Sequence, residues 1–237
     1  MNFLTAHWSN LIMANYEVSP DLLQPYVPPG TELDFYHGKT YLSLVGFMFL
    51  KTKIFGVPIP GLGDFEEVNL RFYVTREIGN EIKRGVVFIN ETVPFKPVAW
   101  LANQLYGENY TSVPTKHEWL IDEATKQIDY SWKMNDLWNH LKISALSVPN
   151  PLVAGSIEEF IFEHYWGYAG SKGRNTTEYQ IDHLSWQTNP VESYSIACDF
   201  ASMYGPDFAL LSDQKPASVL LAEGSPVSVK WKRTKIT

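Results

Sequence analysis

The stretch Asp64 to Arg76, DFEEVNLRFYVTR, alternates at the two-residue period of a strand, and the alternation sorts its side chains into two chemically different faces. Val68, Leu70, Phe72 and Val74 fall on one side and make a core face. Glu67, Asn69, Arg71 and Tyr73 fall on the other, placing a carboxylate, an amide, a guanidinium and a phenol in one row. Pointed at water, that row is the wet face of an ordinary amphipathic strand. Pointed into a barrel or cleft, it is a polar wall for a small ligand. Spacing alone leaves both arrangements open.

The segments around this stretch read mainly as strands. Trp8 to Glu17 predicts a first strand, ended by Ser19-Pro20, where Ser caps and Pro opens a short helix, DLLQPYV. A hairpin is expected around His37-Gly38, and its second arm, Tyr41 to Leu50, is apolar enough to be buried on both faces. The Pro- and Gly-rich VPIPGLGDF then forms a lid or rim beside the polar row. GVVFINE predicts the antiparallel partner of the opening stretch, with Val87, Ile89 and Glu91 on one side and Val86, Phe88 and Asn90 on the other. FKPVAWLANQLYG is a helix with Val98, Leu101, Ala102 and Leu105 on its apolar face and Gly107 as its stop. Three strands follow from Lys116. A capping box, SIEE, opens an amphipathic helix over EEFIFEHYWGYA, and two last strands are joined at Gly224-Ser225. No linker divides the chain, so residues 1–237 are expected to form one domain.

Totals narrow the function classes. A net charge of −7 without a basic block argues against nucleic acid, whose phosphates require clustered Lys and Arg. No run approaches the roughly 18 apolar residues of a membrane span, and no basic segment followed by an apolar one opens the chain; a cytoplasmic protein off the membrane is expected. The single cysteine, Cys198, excludes an internal disulfide and a thiolate metal cage. The aromatic surplus, 14% of residues, suits strands and pocket walls and is compatible with a homodimer.

The histidines have no metal-ligand spacing, no G-x-S-x-G elbow is present, and GVPIPGLG lacks the spacing of a phosphate loop. Neither a metal nor a cofactor is expected. Carboxylates, Arg71 and one lysine remain. Lys96 stands between Phe95 and Pro97 at a strand-to-helix turn. As a nucleophile it would need its pKa lowered by about three units through burial or a neighbouring cation. As an ordinary residue it would extend its ammonium to water at the start of the helix.

The run AHWSNLIMANYEVSPDLLQPYVPPGTELDFYHGKTYLSLVGFMF, followed by FEEVNLRFYV, RGVVFINE, GSIEEFIFEHYWGYA and HLSW, resembles the YqjF-like family of uncharacterised bacterial proteins over nearly the whole chain. That family lies in the acetoacetate decarboxylase-like superfamily. The resemblance implies a mainly β (α+β) fold, an antiparallel barrel-like core with a few peripheral helices and a central polar cavity. In acetoacetate decarboxylase the first of two adjacent lysines forms a Schiff base. The counterpart here runs through Glu91, Phe95 and Lys96, displaced by one position and followed by Pro97 rather than a second lysine. The resulting expectation is a small-molecule cavity protein acting on a carboxylate or keto compound by lyase or hydrolase chemistry, or a non-catalytic ligand-binding or sensing barrel. Glu67 and Lys96 are the candidate catalytic residues. Asn69, Arg71, Tyr73 and Glu91 are the candidate ligand contacts, with Glu163, His164, His183 and Trp186 as secondary candidates in segments that carry the resemblance.

Overall fold

The computed structural model describes residues 1–170 and 175–236. The chain opens with β1 (Asn2–Val18), turns through α1 (Pro20–Leu23), and continues through β2 (Glu32–Leu33), β3 (Thr40–Ile54), β4 (Val57–Pro58), β5 (Phe65–Ile78) and β6 (Glu81–Val93). Helix α2 (Lys96–Tyr106) and β7 (Tyr110–Ser112) lead to β8 (Thr115–Ile121), β9 (Thr125–Met134) and β10 (Leu137–Leu146). Then follow α3 (Ile157–Phe162), β11 (Trp166–Ala169), β12 (Thr176–His183), β13 (Thr188–Asn189), β14 (Val191–Ala197), α4 (Phe200–Tyr204) and β15 (Ser218–Ile236). Among the described residues no helix is long and apolar enough to cross a membrane.

Strands β5, β3, β1, β15, β12, β11 and β6 are hydrogen-bonded in that order, and β6 pairs back onto β5. The seven close into a barrel, which removes the exposed edges an open sheet would carry. The seam between β11 and β6 is parallel and short, with Trp166 opposite Gly85 and Gly167 opposite Val86. Both glycines are required by space. A Cβ on Gly85 would lie 2.5 Å from the Tyr168 ring, and one on Gly167 would lie 2.1 Å from the Tyr179 ring.

A second antiparallel sheet, ordered β14, β10, β9, β8, covers part of the barrel's outside. Val68, Leu70, Phe72 and Val74 of β5 face it and share one apolar cluster with Ile128, Tyr130, Trp132, Leu141 and Ile143. The core face read from the sequence therefore points out of the barrel into a sheet-on-sheet core. Glu67, Asn69, Arg71 and Tyr73 necessarily point the other way, into the interior. β3 is buried from Thr40 to Phe49 because it has the outer sheet on one side and the barrel interior on the other.

Local signals account for several boundaries. Ser19 caps α1, its Oγ accepting from the Asp21 N–H at 3.3 Å. Gly107 ends α2 in the left-handed region at φ 75°. His37 and Gly38 take φ values of 48° and 78° in a tight turn, although β2 pairs with β5 rather than completing a long hairpin with β3. Two expectations are corrected. The capping box at Ser156 does start a helix, but α3 stops at Phe162, and Trp166–Ala169 is the barrel strand β11, because these residues close the seam against β6. The two last strands are one, β15, in which Gly224 at φ 89° lets the chain bend tightly past the Trp8 carbonyl.

Candidate functional site

The barrel interior holds a chamber of about 90 Å³ whose lining includes Trp8, Glu67, Asn69, Arg71, Phe88, Glu91, Glu108, Tyr110 and Tyr179. Strand β5 contributes three consecutive inward side chains, as its period requires. Strand β6 reaches the chamber through a bulge: Leu70 pairs with Asn90 while Arg71 pairs with Phe88, so Ile89 is the extra residue. The bulge reverses the alternation. Glu91, placed by strict alternation on the side of Val87 and Ile89, instead joins Phe88 on the interior wall.

Glu108 and Tyr110 come from the segment after α2, which the sequence reading passed over. The Asn109 Nδ2–H donates to the bulged Ile89 carbonyl at 2.7 Å, and the Asn109 carbonyl accepts from the Glu91 N–H at 3.0 Å. Asn103 of α2 holds Tyr110 from both sides, accepting its N–H at 2.7 Å and donating to its carbonyl at 3.0 Å. This clamp aims the Tyr110 hydroxyl at Glu67 Oε2, 3.0 Å away. The other carboxylate oxygen of Glu67 accepts from Asn69 at 3.0 Å. Tyr179 of β12 donates to Glu108 at 2.5 Å. The amides flanking Glu108 and Tyr110 were the available sequence signal, since Asn103 and Asn109 can each tie a loop to a strand by paired donor and acceptor groups.

Burial dominates the electrostatics. It raises Glu67 to about 7, against the opposing donors Asn69 and Tyr110 and the charge of Arg71. It raises Glu108 to about 7 against the Tyr179 hydrogen bond, and Glu67 adds repulsion. Glu91 is pushed well above the carboxylate range by burial and then by the charges of Glu108 and Glu67. Carboxyls that exchange protons near neutrality are suited to acid–base work.

Arg71 is the contrasting group. It is 8% exposed, and its Nη2–H donates to the Met13 sulfur at 3.7 Å. Among the described residues it makes no ion pair, and its Nε has no hydrogen-bond partner. Asn69 Oδ1, Glu91 Oε2 and the Trp8 indole N–H, which belong to other residues of the chamber lining, are also buried without partners. Native interiors leave few such groups.

The remaining candidates lie elsewhere. Lys96 is exposed on the first turn of α2 and does not line the chamber, because the helix turns Val98, Leu101 and Ala102 inward and its first residue outward. The lysine expected as a catalytic group therefore stands on the exposed turn of α2, and among the described residues no lysine lines the chamber. Tyr73, at the far end of the polar row, packs on Phe160 and His164 and shares a hydrogen bond with Ser43 at 2.7 Å. His164 is buried beside Asp34, with Nε2 and Oδ2 3.2 Å apart, and burial lowers its pKa to about 4. His183 is stacked between Tyr165 and Trp186, and the Trp186 indole donates to Ser225 at 2.9 Å. Glu163 accepts hydrogen bonds from Tyr165 and Ser185. This group braces the wall beside the chamber without lining it.

Residues 5–226 match the model of DUF2071, described as an uncharacterized conserved protein. The chain belongs to the DUF2071 family. It is 28% identical over 191 residues to the uncharacterized protein YqjF of Bacillus subtilis (strain 168), covering 78% of this chain and 75% of the relative. Its fold is similar to that of acetoacetate decarboxylase from Legionella pneumophila, with a TM-score of 0.65 and 15% identity over 100% of this chain and 90% of that one. An acetoacetate decarboxylase-like enzyme from Sphingomonas wittichii RW1 gives a TM-score of 0.65 at 13% identity, covering 100% and 94%. The enduracididine biosynthesis enzyme MppR, complexed with pyruvate, gives 0.65 at 10% identity, covering 100% and 91%. At these identities the likeness establishes the fold. The DUF2071 chain thus carries an acetoacetate decarboxylase-like barrel with a carboxyl-rich chamber and the buried guanidinium of Arg71.

Proposed function

We propose that the barrel takes up a small carboxylic acid with its carboxylate on Arg71, and that Glu67 exchanges a proton with it while Glu91 shares the local charge. The observation that carries this reading is the buried guanidinium with no ion pair among the described residues and an orphaned Nε. A planar guanidinium presents paired N–H donors that match the two oxygens of a carboxylate. Burying such a charge unpaired costs several kcal/mol, and an arriving anion offsets that cost. Two fold neighbours support the ligand class, one named as an acetoacetate decarboxylase and one complexed with pyruvate.

Among the described residues the chamber lining offers acids and a guanidinium but no amine, which supports proton transfer rather than imine formation with the protein. If the protein is an enzyme, its chemistry is proton transfer to or from a bound carboxylate or keto compound, as in a lyase or hydrolase. The same lining favours one second reading, a binding or sensing barrel in which the carboxyls only tune affinity.

A panel of simple and keto carboxylic acids, followed by thermal melting and by proton NMR for turnover, tests these readings. At a free concentration 100 times Kd, binding adds about 2.7 kcal/mol to stability and raises the melting temperature. Arg71→Met should melt no lower than the wild type without ligand and should lose the ligand-dependent rise. A rise retained in Arg71→Met would overturn the anchor. Turnover separates the enzyme from the sensor.

A further inference from the structure

We infer that the acid held at Arg71 is a monocarboxylic acid with an aliphatic tail, and that the tail lies in a second cavity under the loop that joins β4 to β5. This rests on the carboxylate reading and extends it to the substrate class. The second cavity has a volume of about 130 Å³ and shares Phe3, Leu4, Phe49, Glu67, Ala102 and Tyr110 with the polar chamber. Beyond that junction its walls are apolar, built from Ile54, Ile59, Leu62, Phe65, Val98 and Leu101. Among the described residues the lining holds no lysine or arginine. Beyond the shared residues, the described lining adds the polar side chain of Thr52, whose hydroxyl is buried without a partner.

An apolar cavity of this kind is poorly suited to water, which needs two to four polar partners, and it accepts an apolar group instead. A second charge on the ligand would enter walls whose described residues offer no cation to pair it, and burying an unpaired charge is strongly unfavourable. Size and polarity therefore divide the interior into a small charged end at Arg71 and a larger aliphatic end beneath Ile59 and Leu62. The rim carries the same chemistry: Phe55, Val57 and Ile59 are 45%, 63% and 38% exposed, giving an apolar ligand a matching approach. The base of the loop is tied down, the Thr52 N–H donating to the Gly63 carbonyl at 2.9 Å and the Lys51 N–H to Asp64 at 2.7 Å. Its tip supplies Ile59 and Leu62 to the cavity.

The test is isothermal calorimetry of the full chain with acetate, butyrate, hexanoate and octanoate, with adipate and 1-hexanol as controls. Each buried methylene contributes about 0.8 kcal/mol, or roughly fourfold in affinity, until the cavity is full. Hexanoate should bind at least tenfold more tightly than butyrate, adipate at least tenfold more weakly than hexanoate, and hexanol should lose the part due to Arg71. Leu62→Asp, a change on the partly exposed loop, should flatten the chain-length series, bringing hexanoate down to the affinity of butyrate. Equal affinities along the series would overturn the tail assignment and leave the carboxylate anchor standing. Absence of binding by every acid would overturn both. Hexanol binding as tightly as hexanoate would retain the cavity and overturn the anchor.

Discussion

Glu67 ties the chamber to a measurable dependence on pH. Its carboxyl is raised from 4.5 to about 7 in the folded chain, so between these values the native state binds more protons than the unfolded state. Its contribution to stability is fully present below about pH 4.5 and is lost as pH rises through 7. Glu108 acts in the same direction, being raised by burial to about 7. His164 acts oppositely: burial lowers it from 6.5 to about 4, so its contribution grows as pH rises across that interval. A comparison of variants isolates the term. Glu67→Gln should lose less stability than the wild type between pH 5 and 8, the difference being on the order of 2 kcal/mol in urea unfolding at the two ends. Parallel pH profiles for the two proteins would show that Glu67 is ionised as an ordinary carboxylate. His164→Gln should change the slope in the opposite sense between pH 4 and 6.5, by an amount resolvable in the same experiment.

Elements are placed by small residues as much as by large ones. The β11–β6 seam works because Gly85 and Gly167 leave room for Tyr168 and Tyr179 to cross it. Gly167→Ala would put a methyl group 2.1 Å from the Tyr179 ring, whose hydroxyl holds Glu108. It should cost about 1–3 kcal/mol by overpacking, read as a lower urea midpoint with an unchanged m-value. Gly63→Ala provides the contrast, since a Cβ there meets nothing within 4 Å and the backbone φ is not positive. That change should be neutral or slightly stabilising. The same scale explains which elements could be read in advance. The alternation of β5, the capped α1 and the Gly107 stop of α2 are local signals, and each formed where the residues indicated. The end of α3 was not legible, because Trp166–Ala169 is drawn into a strand by pairing with β6 and β12, contacts remote in sequence.

Across the whole molecule, barrel and outer sheet share a single apolar cluster, in which Trp132 and Tyr130 of β9 meet Leu70 and Phe72 of β5. Trp132 is fully buried. Trp132→Ala should therefore cost about 3–5 kcal/mol and weaken both layers together, giving one transition by far-UV and near-UV circular dichroism. Separate transitions would show that the outer sheet unfolds on its own. What the sequence determined by itself was the partition of β5 into an apolar and a polar face, because a two-residue period needs no partner. Tertiary structure decided which face turned inward, since closure of the barrel and arrival of the second sheet depend on pairings far apart in the chain. It also decided the membership of the chamber. Glu91 enters through a bulge defined only against β5, Glu108 and Tyr110 arrive from the segment after α2, and Tyr179 arrives from β12. Lys96, a few residues after Glu91 in sequence, is left facing water by the helix that carries it.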